Sequence, residues 1–448
     1  MSHEYLMALV DAGGTVPVEL GVARRLVARG HRVTVLADDS MADAVRKTGA
    51  CFRPWRCAPN RPDLSVDSDP LRDWECKNPL QVIDRLVRVR FLGDAERYAQ
   101  DVGQALRELS PDLVLCSMFC FGGMLAAEQA GVPFDVLFPN LYMPPVDGMP
   151  PFGLGLTPAR GWLGRLRDRA LSYVTQSLWD KHGLTQLNAL RAQRGLPRLE
   201  HFWSQMHRAR RELVLSAQAF DFPARLPENV RHVGTILDDP EWAELEPWHA
   251  PVAATGQAEA EPAPLVLVAL SSTYQAQLGT LQRICDGLAE LPVRALVTTG
   301  PAIAPSSLRV GPNTQVLVSA PHTRVMRDAD LVITHGGHGT VVKALAAGLP
   351  LLVMHHGRDQ ADNAVRVTAH GAGIALHRNA KSHAIARAVR QLLAAPAYRA
   401  QAQALGTSIL ADADGAVLLR ELEDLPAPCA HAERTQRPAD GLANRCAS

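Results

Sequence analysis

Two stretches in which apolar runs alternate with helix-period patterns, separated by a polar segment, organise this chain. The first opens on the apolar run Tyr5–Val10, which ends in the turn Asp11-Ala12-Gly13-Gly14. A helical pattern follows over Val18–Arg29, closed by Gly30, and Arg32–Leu36 is the next strand. That order predicts a βαβ unit. The alternation continues with a helical region over 93–109 and strands at Asp112–Cys116, Phe134–Phe138, Leu213–Ser216 and Val230–Val233. The second stretch starts at Leu265–Leu270. It predicts a helix over 278–290, strands at Arg294–Thr298, Gln315–Val318, Leu331–Thr334 and Leu351–Met354, and a long helical region over 383–424.

Between them the periodicity fails. Leu237-Asp238-Asp239-Pro240 and the Ala/Glu/Pro-rich run 253–262 predict a polar linker. Past Pro426 the residues are small and polar, and a disordered tail is expected. The division predicted is 1–236, a linker at 237–263, 264–425, and a tail at 426–448. Residues 139–160 also lack periodicity, being rich in Pro, Met and aromatics. They predict a long binding loop in which Tyr142, Met143, Met149 and Phe152 suit an irregular apolar ligand.

A chain of 448 residues exceeds one ordinary domain, and 47% hydrophobic residues suffice for two cores. The 46 Lys and Arg balance 46 Asp and Glu, which argues against nucleic-acid or polybasic membrane partners. No apolar run of about 18 residues predicts a transmembrane helix. The start Met1-Ser2-His3-Glu4 lacks the basic region of a signal peptide. None of the eight cysteines forms a Cys-x-x-Cys pair. A cytoplasmic setting is the expectation. His355 and His356 are adjacent, with no carboxylate or thiolate at ligand spacing, so no metal is expected.

The segment His335-Gly336-Gly337-His338-Gly339-Thr340 lies between the strand Leu331–Thr334 and the helix-forming run Val341–Ala347. A strand, a glycine turn and a helix start in that order present free N–H groups and a positive dipole end, which receive a phosphate. The surrounding residues 319–376 run through Ala320-Pro321-His322, Asp328–Thr334, the glycine turn, Ala344–Val353 and Gly357-Arg358-Asp359-Gln360. This segment resembles the donor-binding half of the UDP-glycosyltransferase family, of the type acting on macrolides and other bacterial natural products. The likeness is dense over about 60 residues and weaker over 5–425.

The resemblance implies the GT-B architecture: two Rossmann-like, doubly wound α/β domains facing across a cleft, the first binding the acceptor and the second the nucleotide-sugar donor. It implies transfer of a hexose or deoxyhexose from a UDP- or dTDP-linked sugar to a small apolar acceptor, with inversion and without a metal, in antibiotic biosynthesis. His335, Gly337, His338, Gly339 and Thr340 match the family's diphosphate motif. Ser271, Ser272 and Thr273 match its second phosphate loop, His322 the position beside the base, and Asp359 with Gln360 the pair that binds sugar hydroxyls. Family members often carry a ribose-binding Glu where this chain has Lys343.

The family's catalytic His and its orienting Asp fall on Thr15 and Ser117. An enzyme without that dyad suits an acceptor that ionises easily, such as a phenol, a carboxylic acid or a nitrogen. Asp11 is the best substitute base by sequence, with a turn-forming role as its alternative. Glu19 is a weaker candidate for the base and is expected to face solvent. A second class, a silent relative that binds sugar nucleotides or assists another transferase, also fits the missing dyad. A third is a different GT-B enzyme such as an epimerase. A monomer or a homodimer fits equally.

Overall fold

The computed structural model describes residues 2–239, 263–271 and 273–425. Ser272, most of the expected linker, the expected tail, Cys429 and Cys446 lie outside the described residues.

The first half contains β1 (Glu4–Ala8), β2 (Arg32–Ala37), β3 (Cys51–Pro54), β4 (Leu113–Ser117), β5 (Phe134–Phe138), β6 (Arg211–Val214) and β7 (Val230–His232). The second contains β8 (Leu265–Ala269), β9 (Arg294–Thr298), β10 (Thr314–Leu317), β11 (Leu331–Thr334), β12 (Leu351–Val353) and β13 (Gly373–Ala375). The sheets run in the orders β3-β2-β1-β4-β5-β6-β7 and β10-β9-β8-β11-β12-β13. Every strand pairing is parallel. Parallel neighbours need crossovers, which cover both sheet faces with helices. Every residue of β4, β5, β8 and β11 is accordingly buried. This is the two-domain GT-B arrangement the resemblance implies.

In each sheet the order reverses once, between β1 and β4 and between β8 and β11. Helices leave such a pair on opposite faces, so a crevice opens at the C-terminal ends of its strands. The turns after β1, β4, β8 and β11 all lie there. Sequence periodicity misses β3 and β13, which are short edge strands with incompletely buried residues. It also misses the helices Phe121–Ala130 and Trp162–Trp179.

The region 383–424 is three helices, Ser382–Ala394, Pro396–Ala411 and Ala416–Glu423. The last of them departs from expectation. It does not close the second half but packs on the first, burying Leu418 and Leu422 in the cluster that holds Tyr5, Leu26 and Leu115. Tyr5 Oη donates to the Leu422 carbonyl (3.1 Å), and Arg211 Nε donates to Glu421 (2.8 Å). Truncating Leu422 would leave a cavity in the first half although the residue belongs to the chain's end. Leu422→Ala is expected to destabilise the protein by about 2–5 kcal/mol, read as a lower urea midpoint for loss of the first half's structure.

Candidate active site

The two switch points face each other across a cleft of about 350 Å³. From the first half Asp11, Gly13, Gly14 and Thr15 line it; from the second come Ser271, Thr273, His335, Gly337–Thr340, Asp359 and Gln360. The approach is close. Gly13 has φ +74°, and a Cβ there would lie 2.4 Å from Thr273 Cγ2. Only glycine meets both conditions.

On the second half, β11 hands over to His335 and Gly336. Gly336 has φ +93°, its N–H donates to Thr334 Oγ1 (3.2 Å), and its carbonyl accepts from Asn363 Nδ2 (2.9 Å). Gly337 then starts the helix His338–Ala346 with no side chain capping it. Its first N–H groups therefore point out of the helix end without an intrahelical partner. A Cβ on Gly337 would lie 2.5 Å from His335 Nε2, so this glycine makes room for the imidazole.

Burial pushes His335 down to about 3, and the neighbouring His356 and Arg358 act in the same direction. His322 is pushed down to about 4 by burial and then by Lys343, and it shares a hydrogen bond with Thr298 Oγ1 (3.0 Å). Burial lowers His338 as well; its Nδ1 pairs with Asn363 Oδ1 (3.2 Å), and its Nε2 has no partner among the described residues. All three are therefore neutral rings that offer hydrogen bonds rather than charge. On the opposite wall Ser271 Oγ bonds Thr273 Oγ1 (3.0 Å) and accepts from Gln275 Nε2 (2.9 Å). Ser272 lies outside the described residues.

Asp359 lines the cleft with Oδ2 held by Asn363 Nδ2 (2.9 Å), and burial raises its pKa. Gln360 lines the cleft and also holds the turn beside it. Its Nε2 donates to Gln275 Oε1 (2.8 Å), while its Oε1 accepts from the N–H groups of His356 (2.7 Å) and Gly357 (3.1 Å). The oxygen and one of the two N–H groups of the amide are thus engaged within the protein, and the side chain organises the turn. Lys343 is explained by what it holds. Its Nζ donates to Asp239 Oδ1 (2.6 Å) and to the Asp238 carbonyl (2.7 Å), bringing Asp239 to the cleft wall. Burial opposes ionisation of Asp239, but Lys343 and the Thr323 N–H outweigh it and lower its pKa. No sequence signal marked Asp239, because its partner is 104 residues away.

In the first half, Asp11 does not stand as a ready base. Its Oδ2 accepts from Ser40 Oγ (2.7 Å) and Arg61 Nη1 (3.2 Å), and its Oδ1 accepts from Gly13 N (2.9 Å). Three donors occupy this carboxylate, and it ties the turn together. Thr15 lines the cleft and Ser117, fully buried, ends β4 behind it. Glu19 does not face solvent: its exposure is 0%, and it sits beside both hydroxyls.

Of the apolar loop, Met143 and Phe152 line the cleft. Tyr142 does not. Its ring packs on Phe138 in the core, and its hydroxyl donates to the buried Glu212 (2.8 Å). Met149 is also off the lining, with its sulfur against Arg366 Nη2 (3.5 Å). Sequence reading missed the apolar wall supplied by Leu71, Val82, Leu86, Met118 and Phe119. Tertiary contact alone gathers those residues.

Residues 282–425 match the erythromycin biosynthesis protein CIII-like C-terminal domain, and residues 13–178 match a glycosyl transferase 4-like domain. The 4'-demethylrebeccamycin synthase of Lentzea aerocolonigenes is 28% identical over 410 residues, 90% of this chain and 95% of that one. The chain is a glycosyltransferase and is similar to those of natural-product biosynthesis. Two solved structures share the enzyme's fold. The glycotransferase of kitacinnamycin superposes with a TM-score of 0.71 at 22% identity, covering 95% of this chain and 99% of that one. The glycosyltransferase VinC, solved in complex with dTDP, gives 0.65 at 18% identity, covering 94% and 98%. No helix among the enzyme's described residues is long and apolar enough to cross a membrane.

The glycine turn provides a matched pair of substitutions. Gly337→Ala is expected to cost the enzyme about 1–3 kcal/mol through the collision with His335, while Gly339→Ala, whose Cβ meets nothing within 4 Å, leaves stability unchanged or raises it. Urea unfolding and the His335 imidazole NMR resonances check both.

Proposed function

We propose that the enzyme transfers a hexose or deoxyhexose from a nucleotide-diphosphate sugar to a small apolar natural-product acceptor, with inversion at the anomeric carbon. The observation that carries this reading is the juxtaposition across one cleft of the uncapped start of helix His338–Ala346, the neutral His335, and the hydroxyls of Ser271 and of Thr273. Charge grows on the diphosphate as it leaves. Fixed donors aimed at that charge lower the barrier without reorganising. This donor set is built of N–H and hydroxyl groups, which suits direct capture of an anion.

In this reading His322, which lines the cleft, stacks beside the base. Asp239, delivered by Lys343, supplies the carboxylate that accepts ribose hydroxyls in place of the family's helix Glu. Asp359 serves the sugar hydroxyls from the other side. The dTDP held by VinC supports a thymidine nucleotide as one donor, beside the uridine nucleotide the family resemblance implies. Met143, Phe152 and the Met118–Phe119 wall give the acceptor an apolar seat. With hydroxyls at Thr15 and Ser117, the acceptor is one that releases its proton readily: a phenol, a carboxylic acid or a nitrogen.

Calorimetric titration with UDP and dTDP side by side tests the donor site. One of the two is expected to bind, and His335→Ala to weaken it at least about tenfold. Because His335 is already neutral well above its pKa of about 3, lowering the pH gives it no charge to add. The affinity ratio of wild type to His335→Ala should therefore stay flat from about pH 8 to about pH 5; a ratio that climbs toward acid would show that His335 binds as a cation. Binding of neither nucleotide by folded protein refutes the donor site.

A further inference from the structure

We propose that Glu19 is the proton acceptor of the transfer reaction, reached through the hydroxyl of Thr15; the inference rests on the glycosyl-transfer reading above. The first helix, Val16–Ala28, begins just after Thr15. Glu19 lies one turn further on, so the two side chains share a helix face. Ser117, at the end of β4, completes the group. Thr15 Oγ1, both Glu19 carboxylate oxygens and Ser117 Oγ are all buried, and none has a hydrogen-bond partner of good geometry among the described residues. No cation pairs with Glu19 there either.

A buried, unpaired carboxylate is costly, by several kcal/mol, and is rare away from functional sites. The rest of this helix face shows what a purely structural residue would be. Leu20, Val22, Ala23 and Leu26 are all buried and apolar. Glu19 interrupts that buried series four residues after the cleft-lining Thr15.

Its surroundings favour a group that exchanges a proton near neutrality. Burial, followed by the charge of Asp11, pushes Glu19 up to about 8, while the Ser117 and Thr15 hydroxyls act against the rise. The Cys120 thiol nearby is pushed up to about 12, chiefly by burial, and Arg61 and Arg90 are engaged with Asp11. A base of this strength matches a phenol of pKa about 10 better than an aliphatic alcohol.

Thr15 lines the cleft and Glu19 stands behind it, which defines the route. The acceptor X–H passes its proton to Thr15 Oγ1 as the Thr15 hydroxyl proton passes to a Glu19 carboxylate oxygen. The electron pair left on X forms the bond to the anomeric carbon. The bond from that carbon to the diphosphate oxygen breaks, and its electrons leave with the diphosphate. Neutral Glu19 then returns its proton to solvent after product release. The relay does the work of the His and Asp that the family places at Thr15 and Ser117.

The test compares two acceptors at about pH 8 with UDP-glucose and dTDP-glucose as donors: 4-nitrophenol, largely ionised there, and 4-methoxyphenol, which is not. Glu19→Gln is expected to lose on the order of 10²-fold in kcat with 4-methoxyphenol and less than about threefold with 4-nitrophenol. The base works only when ionised, so wild-type kcat/KM with 4-methoxyphenol should rise with pH through about 8; Glu19→Gln should lose that limb. Thr15→Ala should separate the two phenols in the same way and Thr15→Ser should restore transfer, which keeps the idea testable should Glu19→Gln fail to fold. Equal losses on both phenols, or no loss on either, overturn the proposal and leave the enzyme's function standing. A wild type that glycosylates neither phenol with either donor overturns the proposed acceptor class and this inference with it.

Discussion

The cleft exists because carboxylates of the first half and its linker are held by cations of the second. Asp221 pairs with Arg366 (2.7 Å), Asp73 with Arg358 (2.7 Å), and Asp239 with Lys343 (2.6 Å). Asp362 adds the reverse polarity without a charge pair, accepting the N–H groups of Gly153 (2.6 Å) and Gly155 (3.3 Å) from the apolar loop. Three of these contacts gather at the turn before, and the first turns of, helix Gln360–Ala369. Asp221 and Arg366 are both buried, so removing either partner would leave an uncompensated charge, at a cost of about 3–5 kcal/mol. Such pairs specify geometry more than they add stability. Here they bring the Gly13 turn against Thr273, where no side chain could fit.

That geometry decides the electrostatics of the site. With the walls in contact, histidines that would titrate near neutrality in water become neutral rings. Fixed positive potential comes instead from the helix start and from Arg358, which sits at φ +57° and reaches Asp73 and Thr273 at once. A left-handed backbone is costly for arginine and persists only where surroundings enforce it. Burial works on the carboxylates in the opposite sense, raising Asp359, and raising Glu19 to about 8. Desolvation thus shapes both the site for a leaving anion and the site for an arriving proton.

Much of this was legible in sequence because it is local. A strand buried on both faces reads as an apolar run whatever its neighbours are, and β5, β9 and β11 fall on the predicted residues. A glycine turn between strand and helix predicts its own free N–H groups. His335, Gly337 and Thr340 do line the cleft as the pattern implies. The short edge strands β3 and β13 were not legible, since their burial comes from partners rather than from composition.

What the chain determined by itself were the two alternating halves, the positions of the four switch-point turns, and the side chains carried on them. Each follows from periodicity and from the conformational needs of glycine. The tertiary structure alone decided the destination of every long-range polar group. It turned Glu19 inward beside Thr15 and Ser117, committed Asp11 to Arg61 and Ser40, sent the Tyr142 hydroxyl to Glu212, closed the Gln360 amide on Gln275, and gave Lys343 its carboxylate. A helix with one charged residue near its start has the same periodicity whether that residue faces water or a neighbouring strand. Only packing removes the water, and with it the difference between a solvated carboxylate and a base.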